Sequence, residues 1–276
     1  MLSTVAATAV LIAGAMLMLW GLSLAIRDVS IVDVFWGLGF VMVAHFVRVT
    51  TAGFLPRAWL VTVLVTAWGV RLGVYLLWRN WGGGEDYRYQ AMRKHYGARF
   101  WLVSLGVVFG LQGALMWVIS LPVQMAVSSP VPTGLGLLDA LGTVLVIVGL
   151  TCETVGDLQL ARFKSDPTSK GRVMDRGLWR FTRHPNYFGD AVVWWGLFAF
   201  ALATGHAFTV VGPVVMTYLL TRLSGVPLLE KKLARTRPQY ADYVARTSSF
   251  VPWPPKLAPG LRESTITARP PGKMGD

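Results

Sequence analysis

The sequence contains little charge and almost no cysteine. Of its 276 residues 14% are charged and 54% are hydrophobic, whereas a soluble domain usually carries about 25% charge. The single cysteine, Cys152, excludes an intramolecular disulfide and a cysteine metal cluster. The four histidines are scattered without metal-ligand spacing, so we expect no metal. This composition indicates that lipid surrounds much of the protein surface.

Acidic residues are also few, and the net charge is +12. Such a balance can indicate a nucleic-acid partner. Here the basic residues lie in loops between apolar runs, where membrane topology explains them, and we expect no nucleic acid. The expected partners are membrane lipids and a lipid-soluble small molecule.

Long apolar runs dominate the chain and predict an all-α, polytopic membrane protein. Most of them reach the ~20 residues that a helix needs to cross a bilayer. The run at residues 188–221 is too long for one crossing, and Gly205-His206 offers a break. We therefore predict seven transmembrane helices, near residues 4–26, 31–50, 57–78, 102–126, 135–157, 185–204 and 206–222.

The loop charges predict the orientation. With seven crossings, 23 of the 26 Lys and Arg residues fall on one side of the membrane. The positive-inside rule makes that side cytoplasmic, which puts the N-terminus outside and the C-terminus inside. The long loops at residues 80–101 and 158–184 are then cytoplasmic, and we expect function there. We predict one membrane domain over residues 1–257, a disordered tail over 258–276, and a location in the cell (inner) membrane with the active site facing the cytoplasm.

Ionisable residues inside the apolar runs are costly and therefore suggest function. Five of the six fall in the cytoplasmic half of the predicted bundle. Alternatively, Arg71 pairs with Asp33 or Glu153 and merely joins two helices. The set comprises Asp33, Arg71, Asp139, Glu153, Asp157 and Asp190.

The strongest local motif is Arg-His-Pro-Asn-Tyr-Phe-Gly-Asp at residues 183–190. Pro185 suits the first turn of a helix. The unpaired amides of that turn, beside Arg183 and His184, favour an anion such as phosphate. Asn186 and Asp190 lie four residues apart and share one helix face, which suits a ribose or a carboxamide. The alternative is an interfacial helix start with snorkelling arginines, which leaves Asn186 and Asp190 unexplained.

At these residues the chain resembles a known group. Residues 177–197 are similar to the C-terminal region of the steroid 5α-reductase superfamily, and most similar to its bacterial branch, the DUF1295 family. Further similarity lies at residues 31–37, 68–75, 85–89 and 224–231, and at Asp157 with Phe163-Lys164. Together these motifs cover nearly the whole chain except the tail.

The resemblance implies a membrane-embedded, NADPH-dependent reductase of a carbon–carbon double bond in a steroid-, sterol- or isoprenoid-like substrate. By analogy, Asp157, Lys164, Asn186 and Asp190 match cofactor-binding positions. The full set for which we predict cofactor binding is Arg79, Asp86, Arg88, Glu153, Asp157, Arg162, Lys164, Arg183, His184, Asn186, Tyr187 and Asp190.

The catalytic side departs from the steroid enzymes. They carry a tyrosine three residues before the arginine that matches Arg71, and Trp68 stands there. Their glutamine–glutamate pair has no evident match, and Asp33 is the nearest acid. Asp33, Arg71 and Tyr75 are therefore the predicted donors to the substrate oxygen.

Two other classes remain open. A membrane S-adenosylmethionine methyltransferase, similar to the isoprenylcysteine carboxyl methyltransferases, shares the Arg-His-Pro-x-Tyr helix start. The segment from Glu230 through Tyr240 and Tyr243 to Pro252 resembles the tail of those enzymes. A non-enzymatic lipid-binding protein is the third reading, but it would need no polar face at Asn186 and Asp190.

Overall fold

The computed structural model describes residues 2–223, 230 and 233–256, and the described residues are helical with no strand. Nothing is described of the predicted tail at residues 258–276, and of the motif at 224–231 only Glu230 is described. The helices, in chain order, are α1 (Leu2–Ile26), α2 (Ile31–Thr50), α3 (Leu55–Asn80), α4 (Tyr87–Ile119), α5 (Leu121–Ser128), α6 (Leu137–Ser165), α7 (Pro185–Ala203), α8 (Ala207–Leu223) and α9 (Tyr240–Arg246).

Five of these helices are long and apolar enough to cross a membrane: α1, α2, α3, α4 and α6. The chain is therefore a multi-pass membrane protein. The sixth and seventh predicted crossings correspond to α7, with 19 residues, and to the shorter apolar α8. Between them Gly205 takes a φ of +82°, a conformation that favours glycine. The predicted break is confirmed, whereas the count of seven crossings stays a prediction.

The predicted start and end of the fourth segment are both wrong. The fourth segment was expected at residues 102–126, but α4 begins at Tyr87 and ends at Ile119. The side chain of Asp86 caps its first turn by accepting a hydrogen bond from the Arg88 amide at 2.9 Å. At the other end Pro122, which cannot donate to a helical hydrogen bond, lies in the first turn of the new helix α5.

The fifth predicted helix, 135–157, is also longer than expected. It continues to Ser165 because residues 158–165 contain no glycine or proline, and Pro167 comes shortly after its end. Two turns of the predicted loop 158–184 are thus helical. Arg162 and Lys164 lie on this helical extension.

The described chain forms two compact units. Unit 1 comprises Met1–Leu150 and Ala191–Tyr218, and unit 2 comprises Thr151–Asp190 and Leu219–Asp276. Helices α6 and α7 each contribute residues to both units.

Glycines allow the helices of unit 1 to approach closely. A Cβ atom at Gly37 of α2 or at Gly69 of α3 would clash with the carbonyl oxygen of the other residue. Gly142 of α6 and Gly196 of α7 meet in the same way, with an added Cβ 2.8 or 2.9 Å from the opposite carbonyl oxygen. Small residues at such crossings are typical of membrane helix packing, where close backbone contact replaces the hydrophobic effect.

A buried ion pair joins α3 to α6 in unit 1. Arg57 is fully buried and donates from Nε to Asp139 at 2.6 Å and from an Nη at 3.1 Å. The same guanidinium donates to the carbonyl oxygens of Pro132 and Gly134, and Asp139 also accepts from the Gly136 amide at 2.8 Å. Both oxygens of Asp139 and all three nitrogens of the Arg57 guanidinium make hydrogen bonds within the protein, which indicates a structural role for Asp139.

Candidate functional site

The start of α7 and the second half of α6 lie against each other in unit 2. Gly156 permits this approach, because a Cβ there would lie 3.2 Å from both the Pro185 ring and the Asn186 amide. Next to it the Asn186 Nδ2 donates to Asp157 Oδ1 at 3.0 Å. Asp157 is only 4% exposed. Asp157 and Asn186, which the resemblance assigns to one cofactor site, are therefore in contact, although 29 residues separate them.

The other end of the Asn186 carboxamide is a buried acceptor. Its Oδ1 is shielded from solvent and has no hydrogen-bond partner among the described residues. The donation to Asp157 decides which end of the carboxamide is oxygen. Because a buried polar atom without a partner is costly, it points to a ligand that donates N–H or O–H. Asp190, one turn along α7, is also buried, as is Glu153 one turn before Asp157 on α6.

Arg183 ties the helix start to the C-terminal segment. Its Nε donates to Glu230 at 2.8 Å, and its Nη1 donates to the carbonyl oxygens of Thr247 at 2.9 Å and Val244 at 3.2 Å. Burial acts to raise the pKa of Glu230, but the hydrogen bonds from His184 and Arg183 outweigh it and hold that pKa below its usual value. Glu230 is thus ionised at neutral pH and balances the charge of Arg183.

His184 completes this cluster. Its Nε2 lies 3.2 Å from Glu230, and its ring stacks on that of Tyr187 with 5.5 Å between centroids and 6° between planes. His184 is 3% exposed, and its ring is held by Tyr187 at one face and by Glu230 at its edge. The structure thus brings together three of the predicted residues, Arg183, His184 and Tyr187. Their contacts fix the first turn of α7 in place.

The C-terminal segment packs on the loop before α7. Thr182 pairs with Ser248 in a parallel bridge, and its hydroxyl donates to the Phe250 carbonyl at 2.7 Å. The Tyr243 hydroxyl donates to the Trp179 carbonyl at 2.6 Å. Burial raises the pKa of Tyr243, which keeps this phenol protonated. No local pattern indicates this packing, because each hydroxyl donates to a backbone carbonyl that any residue could supply.

The basic residues of the 162–176 stretch are separate from these contacts. All five lie at exposed positions, and they comprise Arg162, Lys164, Lys170, Arg172 and Arg176. Asp166 caps the short turn among them by accepting from Thr168. These positions place positive charge at the protein surface on either side of a capped turn.

The remaining predicted residues lie in unit 1. The Asp33 carboxylate accepts from Arg88 Nη2 at 2.6 Å and from the Tyr89 hydroxyl at 2.8 Å. Arg88 also donates to Asp86 at 2.8 Å. The prediction from the sequence linked Asp33 to Arg71 and did not include Tyr89 among the site residues. The signal was in the motif Glu-Asp-Tyr-Arg-Tyr at residues 85–89, whose second tyrosine reaches α2.

Tyr75 lies between two guanidinium groups. The Cζ of Arg71 is 5.4 Å from its ring centroid, and that of Arg79 is 5.7 Å away. These distances fit cation–π contacts one turn up and one turn down α3. Two of the predicted catalytic residues, Arg71 and Tyr75, are thus together.

Trp68 occupies the position at which the steroid enzymes carry a tyrosine. It is fully buried and makes edge contacts with Phe40 and Trp194, with ring centroids 5.7 and 5.3 Å away. An indole N–H does not transfer a proton at neutral pH. In this protein the position belongs to an aromatic core of unit 1.

A family model described as "Protein of unknown function (DUF1295)" matches residues 19–247. The chain belongs to the DUF1295 family. It is also similar to uncharacterized protein C594.04c of Schizosaccharomyces pombe (strain 972 / ATCC 24843), with 25% identity over an alignment that covers 85% of this chain and 75% of that protein. No solved structure matches the chain.

The matched range of this DUF1295 protein includes every predicted site residue. Two groups emerge from the geometry. Unit 2 gathers Glu153, Asp157, Arg183, His184, Asn186, Tyr187 and Asp190 around the start of α7. Unit 1 contains Asp33 with Asp86 and Arg88, and it also contains Arg71 with Tyr75 and Arg79.

Proposed function

We propose that this protein is a membrane-embedded, NADPH-dependent reductase of a carbon–carbon double bond in a lipid-soluble, steroid-, sterol- or isoprenoid-like substrate. The observation that carries the proposal is the buried Oδ1 of Asn186 at the start of α7, beside Asp157, to which no described residue donates a hydrogen bond. The resemblance to the steroid 5α-reductase superfamily supplies the reaction type.

The residues of unit 2 fit a dinucleotide. Asn186 can accept from a carboxamide or hydroxyl, and the carboxylates of Asp157 and Asp190 can accept from a ribose. Arg183 is neutralised by Glu230, so phosphate binding falls mainly to the exposed Arg162 and Lys164 and to the cations that follow them. NADPH would supply the hydride for this reaction.

The chain itself must bind the substrate oxygen and provide a proton. As hydride adds to the β-carbon of an enone, negative charge develops on the carbonyl oxygen and needs a donor. Asp33, Arg71 and Tyr75 are the proposed donor set, all on membrane-spanning helices of unit 1.

The proposal includes a topology of seven crossings in the cell (inner) membrane, with the N-terminus outside and the site at the cytoplasmic face. It is supported by the uneven distribution of Lys and Arg between alternate loops. A reporter that works only in the cytoplasm should be active when it is fused after residue 276. Activity of an exported-type reporter at that position would contradict this orientation.

One observation favours a second candidate, an S-adenosylmethionine-dependent methyltransferase. In unit 2, Arg183 and His184 both contact Glu230, so the two segments that resemble the isoprenylcysteine enzymes are adjacent. Against it is the Asn186–Asp157 pair, which matches the reductase pattern.

Binding measurements separate the candidates. Detergent-solubilised protein is titrated separately with NADPH and with S-adenosylmethionine, and we expect only NADPH to bind. Asp190→Asn, which is isosteric, should weaken NADPH binding by roughly 1–3 kcal/mol, or about 5- to 150-fold. Asp242→Asn, which alters an exposed acid on α9 in the same unit, is the matched control and should leave the affinity unchanged. If Asp190→Asn lowered Tm but left the affinity alone, the site assignment would be wrong.

A further inference from the structure

Arg48 lies in the last turn of α2, within unit 1. Its guanidinium carbon is 4.6 Å from the centroid of the Trp59 ring on α3, a distance that fits a cation–π contact. The Arg48 Nε atom is shielded from solvent and has no hydrogen-bond partner among the described residues. Because arginine is always protonated in proteins, this side chain carries a charge that an uncharged ring does not neutralise.

The neighbouring arginine at this end of α3 is neutralised within the protein. Arg57, in the first turn of α3, pairs with the buried carboxylate of Asp139. Neither the turn at residues 51–54 nor the loop at 129–136, which supplies two carbonyl oxygens to Arg57, contains an acidic residue. In the part of the chain that the structure describes, Arg57 therefore has an anion beside it and Arg48 has none.

Two exposed tryptophans of α3 indicate the depth of Arg48 in the membrane. Trp59 and Trp78 are both exposed and lie 19 residues apart. Along a helix this separation is about 28 Å, close to the ~30 Å thickness of the hydrocarbon core of a bilayer. Tryptophan is enriched at both interfaces, where the lipid headgroups begin. Trp59 and the guanidinium above its ring therefore lie at the level of the headgroups.

We propose that Arg48 and Trp59 form a binding site for the phosphate of an anionic membrane lipid, such as phosphatidylglycerol. A guanidinium presents paired N–H donors that match two oxygens of one phosphate, and the phosphate supplies the missing negative charge. The Trp59 ring holds the guanidinium in place at headgroup depth. The alternative is an interfacial arginine that snorkels to water, which would show no preference for a phosphate-bearing lipid. This inference does not depend on the reductase function.

The test titrates the full chain in detergent and counts bound molecules by native mass spectrometry. Three probes are used separately: phosphatidylglycerol, diacylglycerol with the same acyl chains, and inorganic phosphate. Diacylglycerol measures what the acyl chains contribute alone, and inorganic phosphate measures binding of a free anion. We expect the wild type to bind phosphatidylglycerol and neither of the other two.

Three variants show whether Arg48 makes the contact. Arg48→Gln should weaken phosphatidylglycerol binding about 10- to 150-fold, the effect of a lost hydrogen bond to a charged group. Arg48→Lys keeps the charge without the paired donors and should fall in between. Arg99→Gln, which removes an exposed cation of unit 1, is the charge-matched control and should bind as the wild type does. Phosphatidylglycerol should raise the Tm of the wild type and of Arg99→Gln but not that of Arg48→Gln.

Several results would overturn the proposal. Unchanged binding in Arg48→Gln would leave Arg48 as a snorkelling arginine, and equal losses in Arg48→Gln and Arg99→Gln would indicate non-specific attraction to positive charge. Diacylglycerol that bound as tightly as phosphatidylglycerol would show that the acyl chains alone are recognised. Inorganic phosphate that bound in an Arg48-dependent way would assign the site to a free anion. A wild type that did not bind phosphatidylglycerol would refute the site directly.

Discussion

Two buried polar pairs, one in each unit, differ in whether a buried acceptor atom is left without a hydrogen-bond donor among the described residues. In unit 1 Arg57 and Asp139 use each other and three backbone groups, those of Pro132, Gly134 and Gly136. In unit 2 Asn186 and Asp157 share one hydrogen bond, and the Asn186 Oδ1 has no partner among the described residues.

The difference separates a structural pair from a candidate binding site. Hydropathy alone does not distinguish Asp139, Asp157 and Asp190, which are all acids within apolar helices, and only the resemblance assigned the last two to a cofactor. A pair whose hydrogen-bonding capacity is used up within the protein has nothing left for a ligand. A buried acceptor left over is a cost to the fold that a ligand can remove.

Breaking the satisfied pair should have the largest effect. Arg57→Met leaves the Asp139 charge buried without its cation, and removal of one partner of a buried pair costs about 3–5 kcal/mol. We expect a marked fall in Tm by thermal unfolding in detergent. The NADPH affinity of the folded protein should stay the same.

The double variant Arg57→Met, Asp139→Leu is the control for that experiment. It removes both charges and should recover most of the lost Tm, because apolar residues can replace a buried ion pair at little cost. If the double variant were as unstable as the single one, the cost would come from lost packing rather than from an unpaired charge.

Removal of the Asn186 carboxamide should have the opposite effect. Asn186→Ala removes the carboxamide and should weaken NADPH binding by roughly 1–3 kcal/mol, or about 5- to 150-fold. The Tm should change less than in Arg57→Met. Isothermal titration and thermal unfolding of one preparation give both quantities.

Gln90, an exposed carboxamide of unit 1, provides the matched control. Gln90→Ala should leave NADPH affinity as it is. Equal losses of affinity in the two variants would show that neither reports a specific contact.

Part of the fold and of the candidate site could be predicted from the sequence. Hydropathy located the five long apolar helices. The i, i+4 spacing of Asn186 and Asp190 indicated one polar face at the start of α7. Position 157 joined the same site through resemblance alone. The sequence could not show that Glu230 neutralises Arg183, or that Asp33 contacts Tyr89. Both depend on contacts between segments 47 and 56 residues apart, for which local patterns carry no signal.

The exposed cations of unit 2 should have a smaller effect, on cofactor choice. We expect NADPH to bind more tightly than NADH, because the 2′-phosphate adds charge that the loop can pair. Replacing both Arg172 and Arg176 by Gln should reduce that preference about fivefold, since an exposed ion pair contributes up to about 1 kcal/mol. Arg99→Gln, an exposed cation of unit 1, is the charge-matched control. Equal affinity of the wild type for NADPH and NADH would refute a phosphate role for this loop.

The smallest expected effect is the pH dependence of the stability that Glu230 contributes through Arg183 and His184. Burial acts to raise the pKa of Glu230, but hydrogen bonds from His184 and Arg183 lower it below its ordinary value of 4.5. A carboxyl group whose pKa is lower in the folded state stabilises the fold above that ordinary value, and the contribution is lost as the pH falls through the folded-state pKa. The wild type should therefore have a higher Tm than Glu230→Gln at pH 7, and the gap should narrow below about pH 4.5.

Glu85 in unit 1 offers a matched comparison for this effect. Burial acts to raise its pKa too, and hydrogen bonds from Arg93 and the Val29 amide lower it overall. The Tm gap between wild type and Glu85→Gln should consequently narrow on acidification with the same sign. A gap that widened for Glu230→Gln but narrowed for Glu85→Gln would mean that the Glu230 carboxylate is not stabilised by Arg183 and His184 in the folded protein. The link between the start of α7 and the C-terminal segment would then rest on contacts such as those of Arg183 and Thr182 with backbone carbonyls and the bridge between Thr182 and Ser248.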